Sequence, residues 1–243
     1  MMSDLTSTGS SLDVITNSPI FGVFITLAAF KIGQQCYRVS GNNPLFQPMI
    51  VGLLCLVGVV ITLDLSFEQY FSTAQPLHLM LGPVTVALAI PLYENFKRIR
   101  AMLLPILMTI VFGSLCTVSI AVVIAWGLGV SETTLLSLTT KSITTPIAMA
   151  VTSQIGGAPA LAAMFVIFTG IIGVILGPYI LDKTKVTNKE IRGITIGICA
   201  HAIGTARALE DDRETGAFSA LAMGLTGLIT AFTLPLLVLF VYS

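Results

Sequence analysis

Residues Leu138 to Gly157 read LTTKSITTPIAMAVTSQIGG, and the fold turns on them. Lys141, Ser142 and the threonines Thr139, Thr140, Thr144 and Thr145 run into Pro146. An apolar run and Gly156-Gly157 follow, all inside an otherwise hydrophobic segment. Pro146 lacks an N–H and clashes with the carbonyl one turn back, so a helix breaks or starts there. Thr145 suits the N-cap and Pro146 the first helical position. A helix that starts within a membrane turns bare N–H groups and a partial positive charge on whatever precedes it. Lys141 lies on that side, so the stretch reads as an anion site in a membrane.

The rest of the chain supplies the membrane. Of 243 residues, 55% are hydrophobic and 10% charged, with mean hydropathy +0.94. Soluble domains carry about 25% charged residues. Apolar runs recur throughout, several approaching the roughly 20 residues that span a bilayer. The expected fold is an all-α polytopic membrane protein of about seven to eight segments, with discontinuous or re-entrant helices and internal repeats. A β-barrel would show alternating strands of about 10 residues instead. Zero net charge gives no footprint for nucleic acid. Cys36, Cys55, Cys116 and Cys199 form no CxxC pair and read as small packing residues. His78 and His201 show no zinc spacing, and no Walker motif, nucleophile triad or dinucleotide fingerprint appears. No enzyme, metal or cofactor is expected.

Met1–Pro19 is polar, carries Asp4 and Asp13 and has no Lys or Arg, so it is neither a signal peptide nor a transit sequence. Segment 1, Ile20–Tyr37, serves as its own insertion signal, which suits a bacterial inner (plasma) membrane. Lys31 and Arg38 put its end in the cytoplasm and the N-terminus outside. Segment 2, Leu45–Leu63, opens at Pro44 and Pro48, and Asn43 is a candidate cap directed into a cavity. Leu63–Gln75 reads as a loop. Segment 3, Pro76–Asn95, reads as a helix broken at Gly82-Pro83 and at Pro91, with Thr85 between, or as a proline-kinked one. Segments 4 to 8 are Ala101–Val130, Ser131–Ile155, Ala158–Leu181, Ile191–Leu209 and Thr215–Tyr242, and Trp126 is an interface anchor.

An internal repeat runs through this pattern. Phe112-Gly113, Thr169-Gly170 and Thr226-Gly227 stand 57 residues apart, and Pro178 matches Pro235 at the same offset. Ala160 and Ala163 likewise match Ala217 and Ala220. Residues 76–130, 131–181 and 191–242 are the candidate units of one 1–243 domain with a polar 1–19 tail. Repeats whose broken helices meet at the midplane are a transporter pattern.

Three features would converge on a carboxylate: Lys141 with Ser142, Thr144, Thr145 and Pro146; His201 with Gly204, Thr205 and Arg207; and Gly82-Pro83 with Thr85. Thr145-Pro146 and Gly204-Thr205 should each mark a helix break, the two facing one another, with the N–H groups of Ile147 and Ala148 and the hydroxyls of Thr144, Thr145 and Thr205 on the carboxylate. Lys or Arg at the bilayer centre costs at least about 2.5–3.5 kcal/mol and so faces a cavity or a partner. Arg207 would bind bidentately and Lys141 as a point charge. Plainer roles compete: Arg207 beside Glu210 at the interface, Lys141 paired with Glu94 or Glu210, His201 bonded to a backbone carbonyl.

The runs KSITTPIAMAVTSQIGG, AHAIGTARALE and VALAIPLYENFKRIR closely resemble the LrgB/CidB family, which includes YohK-like proteins and the LrgB-like half of the plastid glycolate/glycerate translocator. The resemblance covers the chain from about Asn43 onward. It implies two functions: transport of small monocarboxylates such as glycolate, glycerate or pyruvate, and a holin/antiholin-like role modulating murein hydrolase activity and autolysis. Lys141, Ser142, Thr144, Thr145 and Pro146 match one family run. His201, Gly204, Thr205, Arg207 and Glu210 match another, and Pro91, Leu92 and Tyr93 a third. Thr140 stands where many relatives have proline, and Ala200 where many have serine. The resemblance also implies a small LrgA-like membrane partner. A homodimer is the expected oligomer, and H+ or Na+ is the candidate coupling ion, H+ through His201.

If all eight segments crossed, the Lys183–Arg192 loop would lie opposite Lys97–Arg100, against the positive-inside rule. Segment 5 is therefore the expected re-entrant hairpin. Segments 5–6 and 7–8 should form related units, with Gly170 and Gly227 at equivalent close contacts.

Overall fold

The computed structural model describes residues 11–41, 43–87 and 89–242. Its contacts divide the chain into two compact units, Met1–Ala87 and Leu88–Ser243, a boundary that falls inside the 76–130 stretch. All regular structure among the described residues is helical. Four helices are long and apolar enough to cross a membrane: Pro19–Val39, Leu103–Gly127, Pro159–Lys183 and Arg213–Phe240.

In the first unit α1 is Ser11–Thr16 and α2 is Pro19–Val39, the latter begun by Ser18 and Pro19. A 3-10 turn at Pro44–Phe46 leads to α3, Pro48–Thr62, whose 15 residues span about 22 Å. Close packing rests on glycine. A Cβ on Gly33 would lie 2.3 Å from the Pro48 carbonyl oxygen, and one on Gly22 2.4 Å from Thr73 Oγ1. Asn43 does cap, but it caps the 3-10 turn, accepting from Leu45 N at 3.0 Å on an exposed surface. Gln47 caps α3.

Two expectations need correction here. Helix α4, Phe67–Leu79, occupies most of the expected Leu63–Gln75 loop. Its signal is a capping box: Ser66 Oγ accepts from Gln69 N, and Gln69 Oε1 accepts from Ser66 N. Pro76 does not start this helix but lies inside it. The rest of segment 3 is α5, Leu81–Ala87, and, in the second unit, α6, Ala89–Glu94. Pro83 and Pro91 each fall third in their short helix, where no intrahelical N–H is required.

The second unit continues with α7, Phe96–Ala101; α8, Leu103–Gly127; α9, Glu132–Leu138; α10, Thr145–Gln154; α11, Pro159–Lys183; α12, Lys189–Asp211; and α13, Arg213–Tyr242. Helices α9 and α10 have 7 and 10 residues and do not form one span. They fold back on each other: Ser137 Oγ accepts from Ala158 N at 2.8 Å, and Thr140 Oγ1 meets Thr152 Oγ1 at 2.8 Å. This is a hairpin that enters and leaves at one end.

Helix α12 is also a hairpin. Straight, its 23 residues would be about 34 Å long. Instead Lys189 Nζ reaches Asp212 Oδ2 at 2.7 Å, and a Cβ on Gly204 would meet Ile196 Cγ2 at 2.7 Å. The turn is His201, at φ 40 and ψ −132.

The hairpins enter from opposite ends. Arg98, just before α8, pairs with Glu190 and Glu214 at the foot of α12 and the start of α13. Helix α8 runs from that charged end to the other, where α9 begins. Helix α11 returns, and Asp182 at its end pairs with Arg192 at 2.6 Å. Lys97–Arg100 and Lys183–Arg192 therefore share one end.

Candidate functional site

The first tip is built by residues 139–147. Helix α9 is capped by Ser131 and ends at Leu138; buried Thr140 ties the descending loop to α10. The N-cap of α10 is Thr144, one residue earlier than the sequence suggests, and its hydroxyl makes no capping bond. Thr145 and Pro146 are thus the first two helical residues. Ala148 N is already bonded to Thr144 O at 2.9 Å, so it is no ligand. The N–H groups of Thr145 and Ile147 have no hydrogen-bond acceptor among the described residues.

Lys141 Nζ donates to Ser142 Oγ at 3.0 Å, and no carboxylate lies within 4.0 Å of it among the described residues. Its two expected partners are engaged elsewhere: Glu210 with Arg207 at 3.3 Å and Glu94 near Arg213 at 3.9 Å. Lys141 instead lines a cavity of about 410 Å³ with Thr117, Thr169, Gly173, Cys199 and Ala200. A larger cleft, about 550 Å³ at the foot of this hairpin beside Glu132 and Gln154, contains none of the predicted site residues.

The second tip is His201. Its break precedes the expected Gly204-Thr205 break, and both of those residues are helical. His201 is 2% exposed, and its Nε2 lies 2.9 Å from Val166 O. A carbonyl only accepts, so Nε2 carries the proton. The plainer role, a bond to a backbone carbonyl, is thus what His201 makes. Val166 joins the two tips, because Ile143 and Ala148 of the first pack on its side chain.

Three glycines admit the tips. A Cβ on Gly170 would lie 2.6 Å from Ile203 and 2.9 Å from the His201 ring. One on Gly227 would meet Ile147 at 3.2 Å, and one on Gly113 Ile198 at 3.3 Å. Gly170 and Gly227 thus each face the tip region of a hairpin, Gly170 much the more tightly.

The profile of the LrgB-like family matches residues 26–240. The chain belongs to the LrgB-like family. Three relatives, from Bacillus mycoides, Bacillus cereus and Bacillus anthracis, are named antiholin-like protein LrgB. Each is 29% identical over 226 residues, covering 93% of this chain and 98% of the relative. No solved structure matches.

In this LrgB-like chain the two longest motifs are the two tips, but of the predicted site residues only Lys141 lines the cavity; Ser142, Thr144, Thr145, Pro146 and His201 do not. Thr205 Oγ1 donates to His201 O at 2.8 Å and meets Ser219 Oγ at 2.9 Å, so it secures the break instead of a ligand. Gly204 gives the legs room to close on Ile196 and Ala200. Arg207 points to the foot, 2.7 Å from Asp211 and 3.3 Å from Glu210, so its guanidinium is not the expected bidentate ligand. Asn43 is exposed in the first unit, and the side chain of Thr85 lies outside the described residues. Sequence reasoning missed Thr117, Thr169 and Cys199. The Thr169-Gly170 repeat step pointed at one of them; Cys199 looked like packing, and Thr117 carried no local signal.

Proposed function

We propose that the protein carries small monocarboxylates across the membrane by alternating access, with the anion at Lys141 between the two hairpin tips. The observation that carries this reading is Lys141 itself: a cation just before α10, without a carboxylate partner among the described residues, lining a cavity walled by α8, α11 and the first leg of α12. An ion out of water costs several kcal/mol unless paired, and an anionic substrate supplies the pair. The N–H groups of Thr145 and Ile147 would bind its second oxygen, helped by the positive end of the helix. Small lining residues such as Thr169, Gly173 and Ala200 suit glycolate, glycerate or pyruvate. In this reading the protein is not an enzyme, and it sits in a bacterial inner membrane. It is driven by H+ through His201 or by Na+, and works as a dimer, with an LrgA-like subunit where one is present.

The test is counterflow of labelled glycolate into vesicles containing the purified protein, with and without a proton gradient. Lys141→Met should abolish it, and Thr145→Val should weaken binding about fivefold by loss of roughly 1 kcal/mol of hydroxyl interaction. Wild-type affinity in both variants would remove the site from consideration.

A second reading rests on the relatives' name: an antiholin-like protein that restrains lysis through murein hydrolase activity. It is separated by measuring autolysis in cells producing Lys141→Met. Full control of lysis with no anion flux would move the function to this reading.

A further inference from the structure

We propose that a second cavity, between α8 and α13, is the other half of the anion path and the internal-repeat counterpart of the Lys141 cavity. This inference rests on the transport reading above. The cavity, about 240 Å³, is lined by Ser114, Thr139, Thr230 and Thr233 among apolar residues. Several of its positions exchange with positions of the Lys141 cavity at the repeat offset of 57. Ile229, Thr230 and Leu237 stand 57 residues after Ile172, Gly173 and Ile180, and Thr139 stands 57 residues before Ile196. Both cavities also take lining from α8: Thr117 in one, Ser114 in the other.

The repeat is inverted, because the two hairpins enter from opposite ends. The elements around the first hairpin therefore serve one end, and their counterparts around the second serve the other. The charge is not duplicated. The residue 57 after Lys141 is Ile198, packed in an apolar cluster with Ile110 and Phe218. One cation then serves both cavities in turn, which fits a substrate with one negative charge.

The second cavity also holds a polar group without a bond. Ser114 Oγ is buried with no hydrogen-bond partner among the described residues. Thr226, one turn before Thr230 and 1% exposed, has an equally unpartnered hydroxyl. Such groups cost free energy when buried, which a polar cargo offsets as it passes. Lipid cannot do this.

The experiment uses the full chain with Cys36, Cys55 and Cys116 changed to Ser. Cys199 then reports on the Lys141 cavity; adding Cys199→Ser and Thr233→Cys reports on the second. A membrane-impermeant anionic thiol reagent is applied to each face of oriented vesicles. Labelling of the two positions from opposite faces is the expected result. Labelling from the same face, or none at Thr233→Cys in folded protein, overturns the inference. Ser114→Cys replaces Thr233→Cys if the latter fails to fold. Protection of Cys199 by glycolate is read separately: its absence counts against the transport reading, whereas sidedness alone decides the second cavity.

Discussion

His201 concentrates the physics of the site in one residue. It is buried, holds φ 40 with ψ −132, and still spends its Nε2 proton on Val166 O. Non-glycine residues in such backbone regions cost about 1–3 kcal/mol. The strain reverses α12 in a single residue, and Thr205 holds the carbonyl that the break frees. His201→Gly should therefore be more stable than His201→Ala by about 1 kcal/mol or more, since both lose the imidazole and only glycine accepts the backbone. Thermal unfolding in detergent measures the difference; equal midpoints would mean the turn is unstrained. The strain was not legible in the sequence. Gly204 was the obvious breaker, yet it is used for close packing, because only Ile196 and Ala200 on the facing leg show that space is short there.

At the scale of elements, the two hairpins are held by different forces. Hydroxyl and backbone bonds close the first, through Ser137, Thr140 and Thr152. Ion pairs close the second. Glu190, 3% exposed, pairs with Arg98, which also holds Glu214, while Lys189 holds Asp212. Arg98→Gln should destabilise more than Glu190→Gln, on the order of 1–3 kcal/mol, because it leaves a buried carboxylate unpaired; the half-exposed guanidinium limits the loss. Unfolding midpoints of the two variants test the order, and the reverse order would show that the buried Glu190 carboxylate does not depend on Arg98. The hydrogen bond from Lys189, then those from the Thr215 and Glu214 backbone N–H groups, hold Asp212 below its ordinary range. A depressed acid stabilises the fold above its unfolded pKa, near about 4, and loses that contribution as pH falls through the depressed value. Asp212→Asn should accordingly flatten the acid limb of the stability profile and leave its shape above neutrality unchanged.

For the whole molecule, charge and topology agree because the first hairpin fails to cross. With that hairpin re-entrant, only α8 and α11 cross between Lys97 and Lys185, so both lie at one end of the second unit, as the Arg98–Glu190 pair requires. Lys97→Cys and Lys185→Cys should be labelled from the same face of oriented vesicles. Opposite faces would mean that the first hairpin spans the membrane.

The sequence by itself determined the membrane class and the first hairpin. Each rests on local chemistry: hydropathy, and a proline with hydroxyls before it. It also placed Lys141 at the tip, because a cation in an apolar segment needs a cavity or a partner. Only the tertiary structure decided which of the two it has. Both carboxylates that might have neutralised Lys141 are near arginines elsewhere, and those pairings join residues that no local pattern relates. The same holds for the second hairpin, whose helical sequence runs unbroken through His201. Its reversal comes from packing, since Gly170 leaves a place for the imidazole and Val166 offers a carbonyl to receive it.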